Sequence, residues 1–459
     1  MSSNPDRSAG APVVIVGGGI SGLSTAYYLA KAGIRPTVIE REPRLGGVIT
    51  TESVEGCVIE GGPDSFLSAK PWALDLIREL GLAGDVIDSN DHRRVTYIWK
   101  NGRLVPMPDG LMMMVPTRVL PMAFSRLFSL STKARMGMEY FRKPQPGDGR
   151  DRSVGEFIEE HYGREAVEYL AEPLLAGVFG GDPDQLSARS TLTRFVDLEK
   201  EHGSLTRGVL AGRKAAAGAA PGSLFKTLKR GLAQLVDALL PSIGNMVNGE
   251  VEAVSAKGVR IGGEWILARH VVLACPAHEA ARLTEQCDPE LAKMLRAIDY
   301  SSSITVALGF RRDQWDPPLD GFGFLVPKKE RRDAGEMVAC TWVGTKFPHR
   351  VPDSHALLRC FVRGDRYDEG VVREQLRRIM GVTAEPAFTR VFRWPRAMAQ
   401  YTVGHAERQK KLDARMQSHS WLHLVGNGYH GIGIPDCIRL GKQAAERING
   451  VPEAAGVVK

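Results

Sequence analysis

After a polar opening, MSSNPDRSAGAP, the chain turns abruptly apolar: VVIV, residues 13–16, is a continuous β-branched run of the kind that fills a strand buried on both faces. Gly17, Gly18 and Gly19 follow at once, and LSTAYYLAKAG then spaces its apolar residues as an amphipathic helix that ends near Gly33. PTVIE predicts a second strand. The far end repeats this order, because WLHLVGNGYHGIGIPDCIRLGKQAAERI reads as a strand, a glycine turn and a helix beginning near Ile434. Between the ends the pattern changes twice. VTYIWKNGRLVPMP is strand-like, but VLPMAFSRLFSLSTKARMGMEYF and SVGEFIEEHYGREAVEYLAEPLL carry helical periodicity, so residues 93–210 predict a mainly helical insertion. Residues 300–393 hold SSITVALGF, GFGFLVP, MVACTWVG and ALLRCFVRG, half-buried strands expected to form an antiparallel sheet over a cavity. AGRKAAAGAAPG, residues 211–222, is low in complexity and reads as a mobile surface loop, and LKRGLAQLVDALL after it reads as a helix.

Composition narrows the class. At 459 residues the chain exceeds what one hydrophobic core organises, and 43% hydrophobic with 25% charged residues is ordinary for a globular protein. No apolar run is long enough to span a membrane, and the polar opening lacks the apolar centre of a signal peptide, so a cytoplasmic chain is expected. Six scattered cysteines without a CxxC pair indicate neither a disulfide framework nor a metal site. The net charge of +7 suits an acidic substrate or an anionic membrane face. Nucleic acid is not expected, because no basic block is interleaved with aromatics.

The glycine turn after VVIV spells GxGxxG with Gly17, Gly19 and Gly22. The first glycine permits a tight turn, the second admits a pyrophosphate, and the third lets helix and strand pack closely. Backbone N–H groups of Ile20 and Ser21 open the helix beneath that phosphate, with Gly18 beside them. Glu40, ending the second strand and followed by Arg41, stands where a carboxylate accepts ribose hydroxyls and disfavours a 2′-phosphate. A dinucleotide site is therefore expected, on a Rossmann-like unit. The next segment, REPRLGG, with Arg44, Gly46 and Gly47, resembles the RxGG extension of the FAD-dependent amine oxidase superfamily, where arginine and glycine backbone cover the phosphates, and this selects FAD over NAD. Gly61, Gly62 and Pro63 form a turn that a flat ring could approach. The helix near Gly433 and Ile434, preceded by Gly426 and Asn427, could hold the electron-rich edge of that ring. The expected fold class is α/β, α+β overall. It joins a discontinuous FAD domain (11–92, 223–299 and 394–459) to the helical insertion and to the antiparallel substrate sheet.

Five further segments, GPDSFL, PLLAGVFGGDPDQLS, GFGFLVP, RWPRAMAQYTVGH and GNGYHGIGIPDCI, extend this along nearly the whole chain. With them the sequence resembles the flavin-dependent protoporphyrinogen oxidase and coproporphyrinogen III oxidase family. MAQY where MPQY is more frequent, and Phe179 where Tyr is common, are departures. The resemblance implies oxygen-dependent oxidation of a porphyrinogen to the porphyrin in haem biosynthesis, with peroxide released and the flavin N5, not a side chain, carrying the chemistry. It adds Val251, whose backbone meets adenine, and Trp394 to the cofactor residues. It also sets Gly177 against the substrate macrocycle, Leu325 and Phe361 around a substrate ring, Thr341 where some members carry a larger aliphatic, and Lys70 near a propionate. His405 and His430 are read as structural. PMPDGLMMMVPT, with ACTW followed by FPH, looks more like the coproporphyrinogen-oxidising branch, protoporphyrinogen being the close second. Implied partners are the tetrapyrrole, molecular oxygen and a ferrochelatase, with a membrane surface beside Arg118 and Arg126. An amine oxidase, a carotenoid desaturase and a non-catalytic flavin-binding module remain open as alternatives.

Overall fold

In the computed structural model, residues 13–112, 114–144, 149–215, 222–315, 317–332 and 337–450 are described. The expected polar N-terminus lies outside them. Val13–Val16, fully buried, sits at the centre of five parallel strands. Thr37–Glu40 and His270–Leu273 flank it, with Asn245–Asn248 and Leu422–Leu424 at the edges. Three distant pieces of chain thus complete one sheet. The first helix, Ile20–Lys31, packs along the last, Ile434–Ile448. Gly441 permits that approach, since a Cβ there would come within 2.8 Å of the Ser21 carbonyl oxygen.

The second sheet has seven strands in the order Phe388–Gln400, Asp299–Arg311, His355–Arg363, Met337–Trp342, Gly323–Leu325, Thr96–Lys100 and Arg103–Pro106. All neighbours are antiparallel except Gly323–Leu325 with Thr96–Lys100, which run parallel. Two outcomes differ from the sequence reading. The hairpin expected to begin the helical insertion instead extends this sheet, because alternation sends Ile98 into the helical core and Trp99 into the core on the sheet's other face. The last strand also runs past 393 to Gln400 and so carries Trp394. Helix Glu369–Met380 closes one face of the sheet with Val372, Leu376 and Ile379 against Leu308, Leu358 and Cys360. The opposite face packs against helix Glu172–Phe179 of the helical region.

That region packs Phe157, Ile158, Tyr162, Leu170 and Phe195 into a core of its own. A capping box between Ser153 and Glu156 starts helix Val154–Tyr162. The expected surface loop at 211–222 begins late, since helix Leu205–Ala215 continues through the alanines, which favour helix, and residues 216–221 lie outside the described part. The helix expected at 228–240 is observed as Ala233–Leu239, after a strand Phe225–Leu228. Among the described residues no helix is long and apolar enough to cross a membrane.

Candidate flavin site and adjoining slot

The GxGxxG glycines divide by what a side chain would meet. At Gly17, with φ +108°, a Cβ would come within 2.7 Å of the Ala274 carbonyl oxygen, and at Gly22 within 2.1 Å of the Gly17 oxygen. Both are required by the fold itself. At Gly19 the nearest atom would be Gly47 Cα at 4.0 Å, so the space beside it is open. Gly19 is the N-cap of helix Ile20–Lys31 and offers no capping side chain. The N–H groups of Ile20, Ser21 and Gly22 find no acceptor among the described residues. Open space beside unsatisfied donors at a helix start fits a phosphate group.

The rest of the cradle gathers around this turn. Glu40 accepts from the Gly18 N–H at 2.7 Å and from the Glu42 N–H at 2.9 Å, which fixes its carboxylate while leaving lone pairs for hydroxyls. Arg41 is exposed beside Glu42 and Glu279. Val251 is buried just past the strand that pairs with Thr37–Glu40, and its carbonyl accepts from Arg282 at 3.0 Å. Gly46 donates to the Gly18 carbonyl at 2.8 Å, laying the second glycine pair alongside the first turn. Arg44, expected over the phosphates, braces its own loop through the carbonyls of Leu45, Gly47 and Ile49. Its guanidinium answers carbonyls that the turn would otherwise leave bare.

Gly61, Gly62 and Pro63 are gripped from the second sheet. The indole N–H of Trp394 donates to the Gly61 carbonyl at 2.8 Å, and Arg359 donates to the Gly62 carbonyl at 2.5 Å. A Cβ at Gly61 would strike the Phe392 ring at 2.5 Å, and one at Gly62 would strike the Val48 oxygen at 1.9 Å. These glycines therefore serve close packing of the loop. Arg359 also pairs with Asp64 at 3.0 Å, and Lys346 holds Asp64 at 2.9 Å. Arg350 pairs with Glu60 at 2.8 Å, with both side chains almost fully buried. Burial pushes the Asp64 carboxyl up, but Lys346, Arg359 and Ser65 outweigh it and hold it well below the ordinary range. Burial in turn lowers Arg359 from the usual guanidinium value. Sequence reasoning missed this cluster. Its one signal was an arginine amid the apolar residues of ALLRCF.

At the C-terminal end, Gly426 has φ +140° and Gly433 caps helix Ile434–Ile448. Asn427 donates to the Ala397 carbonyl at 2.9 Å, and Tyr401 donates to the Asn427 carbonyl at 3.0 Å. Tyr401 also accepts from the Gly431 N–H, stacks on His405 at 3.9 Å, and was not singled out from the sequence. His405 contacts the Tyr429 carbonyl and His430 contacts Asp413, so both have structural partners. Burial lowers the pKa of His405. Lys70 has a partner within the chain. Its ammonium lies 2.5 Å from Asp436, in the first turn of the last helix, because a carboxylate only 6% exposed requires a cation.

The expected substrate residues do come together. Leu325 opposes Ala339, which opposes Phe361, while Thr341 opposes Arg359 one pleat away. Directly paired residues, and those two apart, share a face. Leu325, Thr341 and Phe361 thus line one side of the sheet, half-buried among buried neighbours. Exposed Gly177, on helix Glu172–Phe179, faces them; a Cβ there would lie 3.6 Å from Leu325 Cδ2. The side chain of Phe179 lies outside the described part. Sheet and helix thus face each other across these residues, the candidate substrate slot, with the Arg359 grip on Gly62 beside it.

Residues 20–449 match the family model of flavin containing amine oxidoreductases. The chain belongs to that family. Membership bears out the α/β fold and the expected FAD cofactor. Among relatives, the coproporphyrinogen III oxidase of Bacillus subtilis is 35% identical over 94% of this chain and 96% of its own. The coproporphyrinogen III oxidase of Propionibacterium freudenreichii is 33% identical over 95% and 90%. Of solved structures, a protein from Exiguobacterium, provisionally assigned as a protoporphyrinogen oxidase, superposes with a TM-score of 0.83 at 29% identity, covering 96% of this chain and 99% of that one. In this chain an open phosphate cradle and the sheet face carrying Leu325 and Phe361 flank the Gly61 and Gly62 loop, a layout suited to redox chemistry on a flat substrate.

Proposed function

We propose that this chain is an FAD-dependent, oxygen-using porphyrinogen oxidase of haem biosynthesis, with coproporphyrinogen III as its preferred substrate and protoporphyrinogen IX as the close second. One observation carries the reading: two relatives 35% and 33% identical over almost the whole chain both bear the name coproporphyrinogen III oxidase. FAD, when bound, accepts two electrons from the substrate in each cycle, so a six-electron oxidation proceeds in three cycles, consuming three oxygen molecules and releasing three of hydrogen peroxide.

The chain's own residues bind and orient. Ile20, Ser21 and Gly22 offer N–H groups to the pyrophosphate beside Gly19, and Glu40 accepts ribose hydroxyls. The start of the last helix, at Gly433 and Ile434, presents N–H groups to the ring edge. Leu325 and Phe361 sandwich a substrate ring while Gly177, lacking a side chain, lets the macrocycle lie against helix backbone. Apolar walls exclude water, so positioning substitutes for an acid/base pair.

The product passes to a ferrochelatase. The enzyme works in the cytoplasm and touches an anionic membrane face through the exposed Leu120, Phe124, Leu130 and Phe141, with Arg118 and Arg126 nearby.

The test is to load the protein with FAD and add each porphyrinogen anaerobically. Coproporphyrinogen III should bleach the bound flavin, and air should restore it with porphyrin fluorescence and peroxide. Absence of bleaching would refute the oxidase reading, and a faster rate on protoporphyrinogen IX would reverse the substrate order.

A further inference from the structure

We propose that Arg363 is a carboxylate-binding residue at the Asp182 end of the slot, where it meets a propionate of the porphyrinogen. The inference rests on the porphyrinogen reading above and supplies a cation in addition to Lys70, which is paired with Asp436.

Three observations carry it. First, Arg359, Phe361 and Arg363 alternate along strand His355–Arg363, so all three point to the same face of the sheet. Arg359 faces the Gly62 end and Phe361 the middle of the slot; Arg363 stands one pleat beyond, opposite Ser303. The intervening Cys360 and Val362 enter the core beneath helix Glu369–Met380, which confirms the facing. Second, burial raises the pKa of Asp182, and the Asp184 N–H, Lys328 and, last, Arg363 outweigh it and lower it. Asp182 follows directly on the helix that carries Gly177, so the guanidinium lies at the gap between sheet and helix. Third, Arg363 is exposed and has neither a hydrogen bond nor an ion pair with any described residue. Asp182 is taken instead by Lys328 at 3.1 Å and by the Asp184 N–H at 3.1 Å.

The slot thus carries an apolar middle at Phe361 and a free guanidinium at its Asp182 end, in the cross-strand row that Ser303 joins to Trp394. That order matches a macrocycle whose rings are apolar and whose rim bears carboxylates, and a guanidinium fork suits a carboxylate bidentately. A tetracarboxylate gains more from such a residue than a dicarboxylate, because more of its orientations present an acid at that end.

The test titrates FAD-loaded enzyme with coproporphyrin III, followed by porphyrin fluorescence, for wild type, Arg363→Met and Arg363→Lys. Melting curves check that the exposed substitution leaves the fold intact. Arg363→Met should weaken binding about tenfold, as loss of one partly exposed charge-assisted contact would. Arg363→Lys should recover part of the loss, and the salt dependence of binding should flatten in Arg363→Met. With the porphyrinogen, KM should rise while kcat holds. Equal binding by wild type and Arg363→Met overturns this inference and leaves the oxidase reading intact. Failure of the wild type to bind any porphyrin overturns both.

Discussion

Gly19 and Gly22 are both glycines of one motif, yet their surroundings assign them different work. A Cβ at position 22 would overlap the Gly17 oxygen, whereas one at 19 would project into open space beside unsatisfied N–H groups. Gly22→Val should therefore cost about 3 kcal/mol or more of stability through backbone overpacking. Gly19→Val should fold with a near-normal denaturant midpoint but retain no flavin, since its side chain fills the phosphate space. Absorbance of the purified variants, read beside urea unfolding curves, separates the two. Normal flavin content in Gly19→Val would remove that glycine from the cofactor cradle. The motif was fully legible in the sequence. Which glycine answers to the fold and which to the ligand was not, because only neighbours brought from Ala274 and Gly47 decide it.

The adjoining strands His270–Leu273 and Leu422–Leu424 place His423 3.3 Å from His270. Burial above all, then the neighbouring His270, lowers the pKa of His423 to about 3. The unfolded chain protonates this histidine near pH 6.5 while the folded chain resists until about pH 3, so the unfolded state binds more protons across that window. Its stabilisation is complete above about pH 6.5 and is lost as pH falls toward 3. His423→Gln, which cannot take the proton, should flatten the fall in melting temperature between about pH 6.5 and pH 4 relative to wild type. An unaltered slope would show that other groups govern acid unfolding. The strand containing His423 was predicted from WLHLV; its pairing with the strand from RHVVL, some 150 residues earlier, comes from the sheet order.

For the whole molecule, the joining of distant segments is the organising fact. The helical region leaves Phe124 83% exposed and Leu130 82% exposed, with Arg118 and Arg126 close in sequence. Single exposed apolar residues are unremarkable, but several on consecutive helices form a patch of the kind that meets another surface. The membrane proposal therefore predicts that the protein sediments with anionic vesicles and less with neutral ones. Phe124→Glu combined with Leu130→Glu should abolish sedimentation without altering flavin content. Equal recovery in the supernatant with both vesicle types would remove the membrane from the account.

Local order along the chain determined much of this protein by itself. The β-branched run, the GxGxxG turn and the terminal acid prescribe a nucleotide-binding unit, because each acts through backbone geometry within about 30 residues. Period-two patterning likewise marked the strands that carry Leu325, Thr341 and Phe361. Only the tertiary structure decided what those side chains meet. Lys70 meets Asp436 across 366 residues, Arg359 grips Gly62 across 297, and the hairpin that starts at Thr96 joins a sheet whose other strands begin near residue 299. Buried charge must find an opposite charge, and which one it finds depends on chain crossings that no local spacing encodes.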